Sequence, residues 1–190
     1  MNQSAAWLLA IPFFLSLSGC STSIRDYQNE KPVLELNRFF NGELMAHGIV
    51  QNFSGKVIRR FSATISAQWE GDQGILDERF LFDDGEEQFR CWRLTKNGNY
   101  YTGVAGDVVG EAEGEAQGNT FNWRYTLKVP VAGKEWNIRL DDWLYLVDEN
   151  NLINRTRMSK LGIPVGELTI FIRKLPQETP NSSNADCQLG

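Results

Sequence analysis

Phe61-Ser62-Ala63-Thr64-Ile65-Ser66-Ala67-Gln68-Trp69 places an apolar residue at every odd position and a polar one at every even position. A strand turns successive side chains to opposite faces, so this stretch has one face for a core and one for water. The same period returns in Phe121, Trp123, Tyr125, Leu127 and Val129, with Asn122, Arg124, Thr126 and Lys128 between them. Such alternation belongs to antiparallel sheets buried on one side only.

Shorter or less regular versions occupy 44–52, 76–82, 88–95, 100–109, 136–147, 152–159 and 167–174. The connectors Asp83-Asp84-Gly85-Glu86, Lys96-Asn97-Gly98-Asn99, Gln117-Gly118-Asn119 and Ala132-Gly133-Lys134 carry glycine where hairpins need it. No helical period of useful length interrupts them, although 148–151 has room for one turn. Short sequential hairpins with one apolar face predict an all-β, antiparallel up-and-down barrel of about eight to ten strands, with closure removing exposed sheet edges. A β-sandwich is the alternative, and it needs Greek-key crossings that these connectors do not suggest.

The N-terminus reads separately. Leu17-Ser18-Gly19-Cys20 closes a leader whose apolar stretch runs from Ala5 to Leu17. Small residues immediately before a cysteine suit a lipoprotein signal peptidase, and the Cys20 thiol would carry the lipid. The stretch is shorter than the roughly 20 apolar residues that span a bilayer. No Lys or Arg precedes Cys20, so the usual basic region is reduced to the amino terminus. The expected division is a signal peptide over 1–19, a lipidated tether over 20–32, a barrel over 33–175 and a disordered polar tail over 176–190. Ser21, where Asp would favour retention in the inner membrane, directs the expectation to the outer membrane, periplasmic leaflet.

A net charge of −5 with scattered Lys and Arg excludes the basic stripe of a nucleic-acid binder and the polybasic cluster of a peripheral lipid binder. With Cys20 lipidated, Cys91 and Cys187 permit one disulfide. It would join a strand to the polar tail across a very long loop, an arrangement the sequence does not favour.

His47 is the only histidine, on a strand beside Met45 and Ile49, which fits a surface or satisfied residue better than a catalyst. No HExxH, CxxC, P-loop or GxSxG occurs, and no cofactor or metal is implied. The turn Asp83-Asp84-Gly85-Glu86-Glu87 lacks calcium-loop spacing and reads as a solvated hairpin tip. Between Gly103 and Gly118, Gly106, Val108, Gly110, Ala112, Gly114 and Ala116 share one register. Asp107, Val109, Glu111, Glu113 and Glu115 share the other, which reads as facing solvent. The small residues either let the barrel coil or leave interior volume for a ligand.

Glu78 shares its face with Leu76, Phe80 and Phe82, and Arg90 shares its face with Trp92 and Leu94. Across the 83–86 turn their parity sets them opposite or diagonal on one face. They form either a structural ion pair or a polar anchor in an aromatic cavity. Asp142, on the face of Ile138, Leu140 and Leu144, is a second inward acid, and Trp123 is a further candidate lining residue.

Several runs match a known family: Leu36–Gly48, Asp77–Trp92 with Glu78, Phe80, Asp84-Gly85 and Arg90, and Tyr101–Asn119 with Gly103, Asp107-Val108, Gly110 and Gly114. Asp141-Asp142-Trp143 and Met158–Gly162 complete the likeness. On these the chain resembles domain-of-unknown-function family 3833, uncharacterised lipoproteins of Gram-negative bacteria. The resemblance implies a lipocalin-like fold and brings no reaction or ligand. Phe40-Asn41-Gly42-Glu43-Leu44 resembles the opening strand of a lipocalin, with Leu44 standing where those proteins carry Trp.

Six Trp and 11 Phe in an alternating barrel suit a small-molecule pocket. The expected function is a non-enzymatic, membrane-anchored lipoprotein binding a small apolar or amphipathic molecule, lipids included. The alternatives are an envelope assembly factor using its outer surface and, with least support, a hydrolase working through Glu78 and Asp142.

Overall fold

The computed structural model describes residues 22–131, 133–176 and 187, so Cys20, the leader and most of the C-terminal tail lie outside the described residues. Ten strands form the barrel: β1 (Gly42–Asn52), β2 (Val57–Glu70), β3 (Gln73–Phe82), β4 (Glu87–Asn97), β5 (Tyr100–Val104), β6 (Ala112–Gln117), β7 (Thr120–Val131), β8 (Lys134–Leu146), β9 (Asn151–Lys160) and β10 (Ile163–Lys174). Each pairs antiparallel with its sequence neighbour, and β1 closes on β10 from Leu44 opposite Lys174 to Asn52 opposite Gly166. The up-and-down meander is therefore complete, and no Greek-key crossing occurs among these strands.

The decisive stretch behaves as its alternation requires. Phe61, Ala63, Ile65 and Ala67 are buried, while Thr64 and Gln68 are exposed. His47 faces solvent between buried Ala46 and inward Gly48.

The run from 100 to 117 holds β5, a loop over 105–111, and β6, a strand made from the glycine and glutamate alternation, so the strand expected over 100–109 ends at Val104. Ala112 and Ala116 point inward and Glu113 outward, as parity requires. At Gly103 and Gly114 neighbouring side chains take the volume that the missing side chains leave. A Cβ at Gly103 would meet Leu94 and Trp123, and one at Gly114 would meet Phe121 and Trp123. These two glycines make room for large aromatics, a packing role.

The two ends of the barrel differ. At one, the chain before β1 forms a plug: Leu34, Phe40 and, in the short helix α1 (Leu36–Phe39), Leu36 and Phe39 are buried. Leu34 N–H donates to the Gly118 carbonyl at 2.8 Å, and Trp69 Nε1 donates to the Phe40 carbonyl at 2.8 Å. Gly118, in the left-handed region at φ 54°, lies so close to the Tyr27 carbonyl that any side chain there would displace it. Within the stretch expected as a tether, the turn Ile24–Tyr27 packs on the barrel, with Tyr27 resting against Trp143 and Tyr145 on the outer wall. At the opposite end, inward-facing Phe80, Phe82, Leu127, Val129, Trp136 and Leu168 are only half-buried. That end is the mouth.

Cys91 and Cys187 form a disulfide, with Cα atoms 5.7 Å apart. The sequence permits this bridge without favouring it, and it spans a sequence separation of 96. Cys91 faces outward from β4, and Cys187 is buried against that wall.

Candidate functional site

All five interior residues singled out from sequence converge on the inner face. Glu78 on β3 lies directly across from Arg90 on β4, with a carboxylate oxygen 3.6 Å from the guanidinium. Trp92, two residues along β4, packs edge-on against Trp123 at 5.7 Å and Tyr125 at 5.3 Å between ring centroids. Trp123 on β7 is the cross-strand partner of Asp142 on β8, which in turn is the partner of Thr156 on β9. Tyr125 Oη donates to Asp142 Oδ2 at 3.3 Å. The result is an aromatic interior carrying two separate acids.

Arg90 has a stronger partner than the expected one. Its Nε and Nη2 donate to the Asp107 carboxylate at 2.8–3.0 Å, a forked pair, while the guanidinium lies 5.4 Å from the Phe80 ring centroid. Charge-assisted bidentate pairs of this kind are among the strongest hydrogen bonds a protein makes. Alternation alone puts Asp107 on a solvent-facing acidic register, and the structure corrects that. The cause is simple: 105–111 is a loop that completes the wall where β5 and β6 stop short, so strand parity does not extend to it. Val108 bridges to Leu127, and Asp107 accepts from the Lys128 N–H through its backbone carbonyl.

Asn154 and Thr156 are the other residues that sequence reasoning missed. They alternate with Leu152 and Met158 on the inward register of β9, so parity was the available signal. Asp142, Asn154 and Thr156 are respectively 6%, 6% and 1% exposed. Among the described residues, Asp142 Oδ1, Asn154 Oδ1 and Thr156 Oγ1 have no partner in good hydrogen-bonding geometry, although Thr156 and Asn154 lie close enough to Asp142 to stabilise its charge. Buried polar atoms are almost always paired, so three together in one patch call for an explanation.

Burial dominates the titration of both acids. It pushes Glu78 up to about 7, against the opposing pull of Arg90. It pushes Asp142 up to about 7, with nearby Thr156, Asn154 and Tyr125 pulling the other way. Burial beside Asp142 also raises the Tyr125 phenol well above its usual range. A carboxyl raised in the folded state keeps a proton that the unfolded chain releases. Its stabilising contribution is therefore full below about pH 4 and is lost as pH rises through 7. We expect stability from urea melts to fall between pH 5 and pH 8 by at least about 1.4 kcal/mol, the free energy of a tenfold change in proton affinity. The double variant Glu78→Gln/Asp142→Asn should flatten the profile; wild-type stability that rises over this range contradicts the assignment.

The acidic β3–β4 tip is engaged from its neighbour. Arg59 on β2 bridges Asp84 at 2.8 Å and Glu86 at 2.9 Å while lying over Phe82 at the mouth. Among the described residues no cluster of His, Cys, Asp or Glu is arranged to hold a metal. A cavity of about 780 Å³ lies outside the barrel, under the β1–β2 turn, where Arg139, Asp141, Arg157 and Glu167 line it.

Fold and interior together define a closed ten-stranded meander barrel of the lipocalin-like class, plugged at one end and aromatic within. The chain belongs to DUF3833, a family of proteins of unknown function, whose model matches residues 14–174. No curated protein matches it. Among solved structures it is similar to a protein of unknown function of the DUF3598 family from Nostoc punctiforme, at 15% identity and a TM-score of 0.55. That match covers 77% of this chain and 51% of the other, so the chain spans about half the length of the Nostoc protein. It is also similar to an S-type phycobiliprotein lyase from Guillardia theta, at 9% identity and a TM-score of 0.56, over 76% of this chain and 95% of that one. At such identities the likeness is one of fold.

Proposed function

We propose that this protein is a non-enzymatic lipoprotein, anchored through Cys20 in the periplasmic leaflet of the outer membrane, whose barrel takes up a small amphipathic molecule through its mouth. The observation that carries the reading is the patch of three unpartnered oxygens, on Asp142, Asn154 and Thr156, buried in an aromatic interior. Apolar walls with a few convergent polar groups are the usual make-up of a small-molecule site. The Cys91–Cys187 disulfide supports an oxidising compartment, and the apolar leader ending in Leu17-Ser18-Gly19-Cys20 supports export and acylation.

Native mass spectrometry of protein purified from bacterial membranes tests the binding. The expected result is an added mass that organic extraction removes, and uptake of fluorescent fatty-acid or phospholipid probes by the stripped protein. A clean apo mass with no uptake contradicts it. In that case the outer cavity beside Arg139 and Arg157 favours an assembly factor, recognised by a co-purifying envelope protein.

For anchoring, Cys20→Ala is expected to give unacylated protein that leaves the detergent phase, because the thiol is the attachment atom. Ser21→Asp should shift protein toward the inner membrane in density fractionation. A Cys20→Ala protein that is still cleaved and acylated ends the lipoprotein reading.

A further inference from the structure

The interior constellation also constrains the ligand's head group, an inference that rests on the barrel-binding reading above. An anionic head, such as a fatty-acid carboxylate or a phosphate, needs a free cation. The two arginines nearest the interior are already paired in charge, Arg90 by Asp107 and Glu78 and Arg59 by Asp84 and Glu86, although the Arg59 Nε has no partner. Among the described residues, the interior carries the acids Glu78, Asp107 and Asp142 against Arg90 alone, so a ligand's negative charge would meet carboxyl groups and not a free cation.

The unpartnered atoms point the same way. Asp142 Oδ1 and Asn154 Oδ1 are acceptors, and the Thr156 hydroxyl accepts as well as donates. The donors beside them, the Thr156 hydroxyl and the Asn154 amide N–H₂, stand next to the Asp142 carboxylate, which an anion would have to approach. Trp123 is cross-strand from Asp142, with Trp92 packed edge-on against both Trp123 and Tyr125 alongside. Aromatic faces attract cations, more strongly where water is excluded. A buried carboxylate is tolerated when a cation or donors satisfy it.

We infer that the barrel binds a ligand with a cationic, hydrogen-bond-donating head, a primary or secondary amine on an apolar body, with the ammonium seated among Asp142, Asn154 and Thr156 and the body extending toward the half-buried mouth. A primary ammonium's three N–H donors match the three orphaned oxygens in number and polarity.

The test compares hexylamine, hexanol and hexanoate, which share a tail and differ in head, by titration against the full chain held in amphipol with tryptophan fluorescence as readout. The expected order is hexylamine at least tenfold tighter than hexanoate, with hexanol between. Asp142→Asn should bring the three within about threefold, chiefly by weakening the amine, and Thr156→Val should narrow the gap in the same direction. Circular dichroism checks folding, and Thr156→Val carries the test should Asp142→Asn fail to fold. Equal binding of all three, a preference for hexanoate, or an amine preference untouched by both variants overturns the amine head while leaving a ligand-binding barrel. No binding of any probe, with the native protein also free of added mass, removes the barrel-binding reading and the head group with it.

Discussion

Arg90→Met is expected to destabilise the folded protein by about 3–5 kcal/mol in denaturant melts at neutral pH, the range for breaking a buried ion pair from one side. The side chain is 13% exposed and is the cation shared by Asp107 and Glu78. Methionine fills similar volume, so the loss reports charge and hydrogen bonding more than a cavity. Three donor contacts to Asp107 disappear at once, as does the guanidinium beside the Phe80 ring. The partners should not be equivalent. Asp107→Asn removes the forked contact at 2.8–3.0 Å and should cost about 2 kcal/mol or more, in the range for hydrogen bonds to charged groups. Glu78→Gln removes a looser contact at 3.6 Å from an acid that burial already drives toward its neutral form, so its cost should stay within about 1 kcal/mol. Equal losses for Glu78→Gln and Asp107→Asn would show that the Glu78 contact is as strong as the fork. A loss below about 1 kcal/mol for Arg90→Met would place the cation in water.

The contrast between Glu78 and Asp107 also shows what the sequence can and cannot convey here. Glu78, Arg90, Trp92, Trp123 and Asp142 were legible because each sits on a regular strand, where a period of two assigns the face without knowledge of partners. Register across a tight hairpin then follows from parity, and Glu78 falls opposite Arg90. Asp107 was not legible, since it lies in a loop whose path depends on β5 and β6 ending early. Nothing local marks that early end: the run from Gly103 to Gly118 keeps its alternation straight through the loop. Asn154 and Thr156 obey parity but read as weak strand residues until β9 is known to border β8 around a closed barrel. The mouth and the plug were equally hidden, because the plug is built from residues before the first strand whose apolar character has no period of its own. The tail conceals its anchor for a related reason. A polar, proline- and serine-bearing segment gives no sign of where its one cysteine docks.

That docking sets the second large effect. Replacing both partners, Cys91→Ala with Cys187→Ala, is expected to lower stability by about 2–4 kcal/mol, the usual range for a native disulfide. The bridged cysteines are 96 residues apart, so the bond restricts a large part of the unfolded chain. For a loop near this size the chain-entropy model gives about 4.7 kcal/mol, which serves as an upper bound. A local contribution acts in the same sense. Cys91 lies between Arg90 and Trp92, so the bridge ties the C-terminal tail to the strand that supplies the cation and an aromatic wall of the interior. Loss of the bond should therefore increase hydrogen exchange in β4 more than in β9, which lies opposite it in the closed ring. A reducing agent should reproduce the loss in the wild type and leave the double variant unchanged. Melting curves that coincide with and without reductant, together with a double variant as stable as the wild type, would mean that the bridge contributes nothing to the folded barrel.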